Sequence, residues 1–188
     1  MKNQTCCFTG HRKIQKSEIK EIQKSLEKEL IKLISQGVKY FGAGGALGFD
    51  TLAAQTVLKL KKKFPQIKLI MVLPCKGQEK YWSEKEKTEY ASILKKADKI
   101  VYTSEHYHQS CMHVRNRHLV DNSNYCIAYL NQTKGGTAYT VNYAKQKGLQ
   151  ITNTAKNCYL SHGIKLRTAE NTITTPQGIT NKAIYIIN

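Results

Sequence analysis

Long apolar runs are missing from this sequence: the fullest, such as Lys68-Leu-Ile-Met-Val-Leu73, fall far short of the about 20 residues a membrane-spanning helix needs. The N-terminus, Met1-Lys-Asn-Gln-Thr-Cys-Cys-Phe8, holds no apolar segment of the secretory kind, so the expected location is the cytoplasm. The six cysteines (Cys6, Cys7, Cys75, Cys111, Cys126, Cys158) include no Cys-x-x-Cys pair, which argues against a zinc ribbon or a redox motif. Reduced thiols are expected, since a chain of 188 residues does not need disulfide staples. Acidic residues are scarce. Only 13 Asp and Glu face 30 Lys and Arg, a net charge of +17. That excess favours anionic partners such as nucleotides, nucleic acid or phosphate, but a merely lysine-rich solvated surface explains it equally well.

Apolar residues make up 40% of the chain and charged ones 23%, enough for a packed core and incompatible with intrinsic disorder. The patterning is regular. Thr5–Thr9 reads as a buried strand in which adjacent Cys6 and Cys7 face opposite sides. Ile19, Ile22, Leu26, Leu30, Leu33 and Ile34 then recur at helical spacing, with Ser17 as N-cap and Gly37 as stop. Strand-like runs follow at Val38–Phe41, Ile67–Leu73, Lys99–Thr103, Tyr125–Leu130 and Leu149–Thr152. Helical stretches at Thr51–Lys62, Glu84–Lys96, Met112–Asn122 and Ala138–Lys147 separate them. Strands alternating with helices predict an α/β, Rossmann-like open sheet, mostly parallel, with helices on both faces. The expected domain spans residues 1–155. Residues 156–188 read as a short C-terminal β-hairpin-like extension.

Glycine turns follow three of the strands: Thr9-Gly-His-Arg12, Gly42–Gly48 and Lys134-Gly-Gly-Thr137. In an open parallel sheet such loops line one crevice, where backbone amides and helix N-termini favour a phosphate. The Gly42–Gly48 stretch runs Gly-x-Gly-Gly-x-x-Gly rather than GxGxxG, and no Gly-Lys-Ser/Thr occurs, so the dinucleotide fold and the P-loop are both disfavoured. Gly-x-Ser-x-Gly is absent too.

Cys7-Phe-Thr-Gly-His-Arg12, Gly44-Gly-Ala-Leu-Gly-Phe-Asp50, Met112-His-Val-Arg-Asn-Arg117 with Leu119-Val-Asp121, and Gly135-Gly-Thr137 together resemble the YpsA-like family of the SLOG superfamily. That superfamily groups the Lonely Guy (LOG) phosphoribohydrolases with the DNA-processing protein DprA and with nucleotide-sensing domains. The resemblance covers about residues 5–152 and implies a nucleotide or nucleotide-derived ligand at the glycine loops, no further cofactor, and often a homo-oligomer. Carried onto this chain, the phosphate-facing candidates are Gly10, Gly44, Gly45, Gly48, Gly135, Gly136 and Thr137, with Arg12 and Arg115 as charged partners. A guanidinium holds phosphate through two parallel hydrogen bonds. Arg117 lies two residues on and points another way on the helix, so at most one of the two faces the ligand, and the resemblance favours Arg115.

Other candidates keep two readings each. Asp50 is placed to accept ribose hydroxyls or to cap the next helix. His11 contacts ligand or caps a turn. Trp82 and Tyr81 stack on a base or merely pack. LOG-type hydrolases carry a glutamate just after their Gly-Thr motif, whereas here Lys134-Gly-Gly-Thr-Ala-Tyr-Thr140 offers none. If the chain cleaves an N-glycosidic bond, Asp50, Asp121 or Glu79 must supply the carboxylate, with Arg115 assisting. His106, His108, His113 and Cys111 read as a polar loop, not a metal site. The expected function is therefore nucleotide binding or sensing, with a nucleoside-monophosphate N-glycosidase as the enzyme alternative. Single-strand nucleic-acid binding stands third, because no basic stripe interleaved with aromatics is visible along the sequence.

Overall fold

The computed structural model describes residues 2–155; the expected C-terminal hairpin lies outside the described residues. After a 3₁₀ turn the chain alternates β1 (Thr5–Gly10), α1 (Ile19–Ser35), β2 (Tyr40–Ala43), α2 (Phe49–Lys61), β3 (Lys68–Leu73) and α3 (Glu84–Lys96). It continues through β4 (Lys99–Tyr102), α4 (Cys111–Asp121), β5 (Tyr125–Tyr129), α5 (Gly136–Gln146) and β6 (Gln150–Asn153). The sheet has the order β4-β3-β2-β1-β5-β6 and every neighbouring pair is parallel. The chain steps outward from β1 to β4, then crosses back to start again at β5 on the other side of β1. The C-terminal ends of β1 and β5 thus flank the point where the order reverses, the place where open α/β sheets have a crevice.

Two apolar clusters explain why the helices divide between the faces. Cys6 and Phe8 of β1 pack with Leu26 and Leu30 of α1, Val57 and Leu60 of α2, and Tyr90 and Ile93 of α3. Cys7, pointing the other way, packs with Leu119 and Val120 of α4, Ala144 of α5 and its register partner Cys126. The adjacent thiols therefore serve opposite faces, as the strand period requires. All five described cysteines are free and buried.

Element types match the sequence pattern while several ends differ. α1 begins at Ile19 with Glu18, not Ser17, at its N-cap; the Glu18 side chain caps no helix amide and accepts the Tyr129 hydroxyl at 3.1 Å. α2 begins two residues early, at Phe49. Gly48 makes the turn at φ +78°, a conformation side chains resist, so Asp50 sits inside the first helical turn rather than at the cap. α3 starts where expected, since Ser83 and Glu86 form a reciprocal capping box.

Leu26 is fully buried between α1 and the sheet. Leu26→Ala is expected to cost about 2–5 kcal/mol of stability, measured by urea unfolding.

Candidate functional site

A cavity of about 280 Å³ opens at the reversal point, lined by Thr9, Gly10, His11 and Arg12 after β1, by Asp50 of α2, by Met112, Arg115 and Asn116 of α4, and by Gly136 and Thr137 of α5. The first turns of three helices meet here, and none carries a side-chain cap. Each contributes a partial positive charge, although the Phe49 amide of α2 and the Cys111 amide of α4 already donate to the His11 and His108 carbonyls. At α5 the opening is complete: a side chain built onto Gly136 would meet nothing within 4 Å.

Arg115 is 5% exposed. Its Nη1 donates to Asp50 Oδ2 at 3.2 Å, and the same oxygen accepts the Ala46 N–H at 3.3 Å. The guanidinium lies so close against Gly44 that a Cβ at that position would overlap it, which is why the loop needs glycine there. Burial lifts the Asp50 carboxyl above its usual range, and the Arg115 guanidinium and Ala46 amide pull it part of the way back. Nη2 meets only the Met112 sulfur, at 4.0 Å, and Nε is buried with no partner among the described residues. Nε and Nη2 form one edge of the guanidinium, the edge that grips a phosphate or carboxylate through two parallel bonds.

His11 accepts the backbone N–H of Asn131 at Nε2 (3.2 Å) and sets its ring edge-on to Tyr129. Partial burial lowers its pKa, and accepting at Nε2 further suits the neutral ring. The β1 loop thereby holds the start of the loop that leads into α5. Asn116 braces the other side: its Nδ2 donates to Thr140 Oγ1 at 2.9 Å, and that hydroxyl donates to the Gly136 carbonyl at 2.8 Å.

The sequence candidates separate into two groups. Gly10, His11, Arg12, Asp50, Arg115, Gly136 and Thr137 line the cavity, with Arg12 exposed at its edge. Gly44, Gly45 and Gly48 stand behind it. Gly48 abuts the His11–Arg12 backbone, and the Gly45 carbonyl accepts from Gln78 Nε2 at 3.2 Å. Gly135 is the N-cap residue of α5. Trp82 packs edge-on against Tyr90 at 5.2 Å and Tyr81 is 90% exposed; neither lines the cavity. Arg117 is exposed on the far side of α4 from Arg115. Met112 and Asn116 were not singled out as site residues, although their spacing around Arg115 puts all three on one helical face. Among the described residues no cluster of His, Cys, Asp and Glu could hold a metal, and no helix is long and apolar enough to cross a membrane.

With this geometry in view, comparison with known proteins gives the family. The YpsA profile, described as the YspA SLOG family, matches residues 6–160, and the chain belongs to that family. It is 37% identical over 127 residues to the uncharacterized SPbeta prophage-derived protein YoqJ of Bacillus subtilis, covering 61% of this chain and 74% of that protein. It is 30% identical over 132 residues to the UPF0398 protein BH1768 of Halalkalibacterium halodurans, covering 69% of this chain and 70% of that one. Among solved structures, DprA from Streptococcus pneumoniae superposes with a TM-score of 0.57 at 18% identity over 80% of this chain. A Helicobacter pylori DprA, described for its single-stranded DNA binding mode, gives 0.55 at 17% identity over 78%. The matches span 50% and 63% of those longer proteins, and they establish the fold.

Asp50→Asn leaves the Arg115 charge buried without its counter-ion and is expected to cost about 3–5 kcal/mol in urea unfolding; Arg12→Gln, at an exposed position, is expected to change stability by less than about 0.5 kcal/mol. Because the folded pKa of His11 lies below its ordinary 6.5, the unfolded chain binds more protons on acidification. Stability falls as pH drops through 6.5 toward the folded value. His11→Gln is expected to shrink the drop in melting temperature between pH 7.5 and 5.5, measured by calorimetry.

Proposed function

We propose that the chain binds a nucleotide or nucleotide-derived small molecule, with a phosphate held between the first turn of α5 and the guanidinium of Arg115. One observation carries this: Arg115 is buried, held by Asp50 through Nη1 alone, and its Nε–H has no acceptor among the described residues. Leaving a buried donor unpaired costs about 1–3 kcal/mol, so the site favours a ligand that brings an acceptor. The uncapped α5 amides, the space over Gly136 and the exposed Arg12 supply further anion affinity.

Size supports a small ligand. A cavity of about 280 Å³ falls just under the range of about 300–1,000 Å³ typical of ligand sites, which favours a ligand no larger than a mononucleotide. The Asp50 carboxylate already serves Arg115 and the Ala46 amide, and no carboxylate follows Thr137 before Thr140. Both features favour binding over N-glycosidic cleavage.

Isothermal titration with AMP, ADP-ribose, NAD and cyclic mononucleotides is expected to find a ligand with a phosphate monoester. Arg115→Lys keeps the charge but loses the two-pronged edge, and should weaken that ligand about tenfold or more. Absence of binding across the panel by folded protein overturns the proposal. Release of free base from AMP would establish the hydrolase instead.

A further inference from the structure

A track of aromatic rings and cations runs down the outer face of α4 and α5, although in the sequence its members lie in two separate segments. Tyr139 and Tyr143 present parallel rings, 6.5 Å between centroids and 2° between planes. The His113 ring meets Tyr139 edge-on at 4.7 Å. The Arg117 guanidinium lies 5.8 Å from the Tyr139 ring centre and 5.5 Å from that of Tyr143, and Lys147 Nζ lies 5.3 Å from the Tyr143 ring. His113, Arg117 and Lys147 are exposed, and both tyrosines are half-exposed.

Helical spacing makes the track continuous. Residues 113 and 117 are one turn apart on α4, and 139, 143 and 147 are successive turns along α5. Both helices begin at the same rim of the parallel sheet, so the track starts one turn below the cavity, next to Met112 and Gly136, and leads away from it. From Tyr139 to Lys147 it covers about 12 Å at the helical rise of about 1.5 Å per residue.

Bracing α4 against α5 accounts for only part of this arrangement. Arg117 donates Nε to the Tyr139 hydroxyl at 2.7 Å, and Tyr143 donates to Asp121 at 3.0 Å. The Arg117 guanidinium lies over both rings and its two Nη groups bond to no described residue, while Lys147 also pairs with Asp121 at 3.9 Å, on the surface of a chain of net charge +17. Half-exposed rings with a guanidinium over one side, its Nη donors unbonded to any described residue, match one polymer chemistry: unpaired bases that stack on the remaining ring surface, joined by phosphates that accept.

We propose that the α4/α5 face carries a single-stranded oligonucleotide whose terminal phosphate occupies the cavity. At about 3.4 Å per stacked nucleotide, the track takes three to four of them. The proposal rests on nucleotide binding at the cavity and names the ligand class of that site as a strand end rather than a free mononucleotide.

The test measures the full chain at one fixed salt concentration, using calorimetry for dAMP and fluorescence anisotropy for 5′-phosphorylated deoxyadenosine strands of two, four and eight nucleotides. Affinity is expected to rise about tenfold or more from one nucleotide to four and to level off by eight. The double variant Arg117→Gln/Lys147→Gln changes only exposed side chains. It is expected to return the four-nucleotide strand to the affinity of dAMP while leaving dAMP binding unchanged; Tyr139→Leu should do the same. Affinity independent of length, with dAMP bound, overturns the track and leaves the cavity site standing. Strand binding that the variants abolish, without dAMP binding, supports the track and overturns the cavity site. Equal binding of a duplex of the same length, or strand affinity untouched by the variants, overturns the stacking role, and no binding of either probe overturns both.

Discussion

The buried pair between Arg115 and Asp50 is the constraint on which the rest of the site depends. It joins the first turn of α2 to the second turn of α4, two helices that lie on opposite faces of the sheet, over the point where the strand order reverses. A charge pair in so dry a place is sustainable only with close geometry, because desolvation offsets much of the attraction. The surroundings supply that geometry. Gly44 lets the guanidinium lie flat on the loop backbone, Gly48 turns the chain so that Asp50 enters the helix, and Ala46 adds its amide to the carboxylate. The glycines of the second loop thus shape the site from behind, while those of the first and third face it.

Most of the fold was legible in the chain. The separation of Leu26, Leu30 and Leu33 by three and four residues marks α1 without ambiguity, and five further strand-like runs between helical stretches lead to a parallel sheet. The order of the strands was not spelled out. It follows from the handedness of each crossover and from which helices share a face, and those are properties of the packed whole. Helix starts drifted by one or two residues wherever backbone chemistry, not side-chain periodicity, decides them, as at Gly48 and Gly135.

The site was partly legible for the same reason. Loop residues after β1 and before α5 were identifiable because glycines at strand ends have a local cause. Helical spacing separates Arg115 from Arg117 by most of half a turn, and the family resemblance decided between them. What escaped was anything formed between distant segments: the link from His11 to Asn131, the tie from Asn116 to Thr140, and the partnering of Tyr139 and Tyr143 with Arg117. The aromatics and cations of this face form no stripe along the sequence, because α4 supplies His113 and Arg117 while α5 supplies Tyr139, Tyr143 and Lys147.

The central strand also determines how the thiols behave. Cys6, Cys7 and Cys126 sit shoulder to shoulder in the middle of the sheet; burial drives the Cys6 thiol far toward its protonated form, and the hydrogen bond with Cys7, together with burial, does the same for Cys126. Sulfur so placed acts as a compact apolar filler, out of reach of peroxide, electrophiles and glutathione. The described part of the domain therefore presents no thiol at its surface.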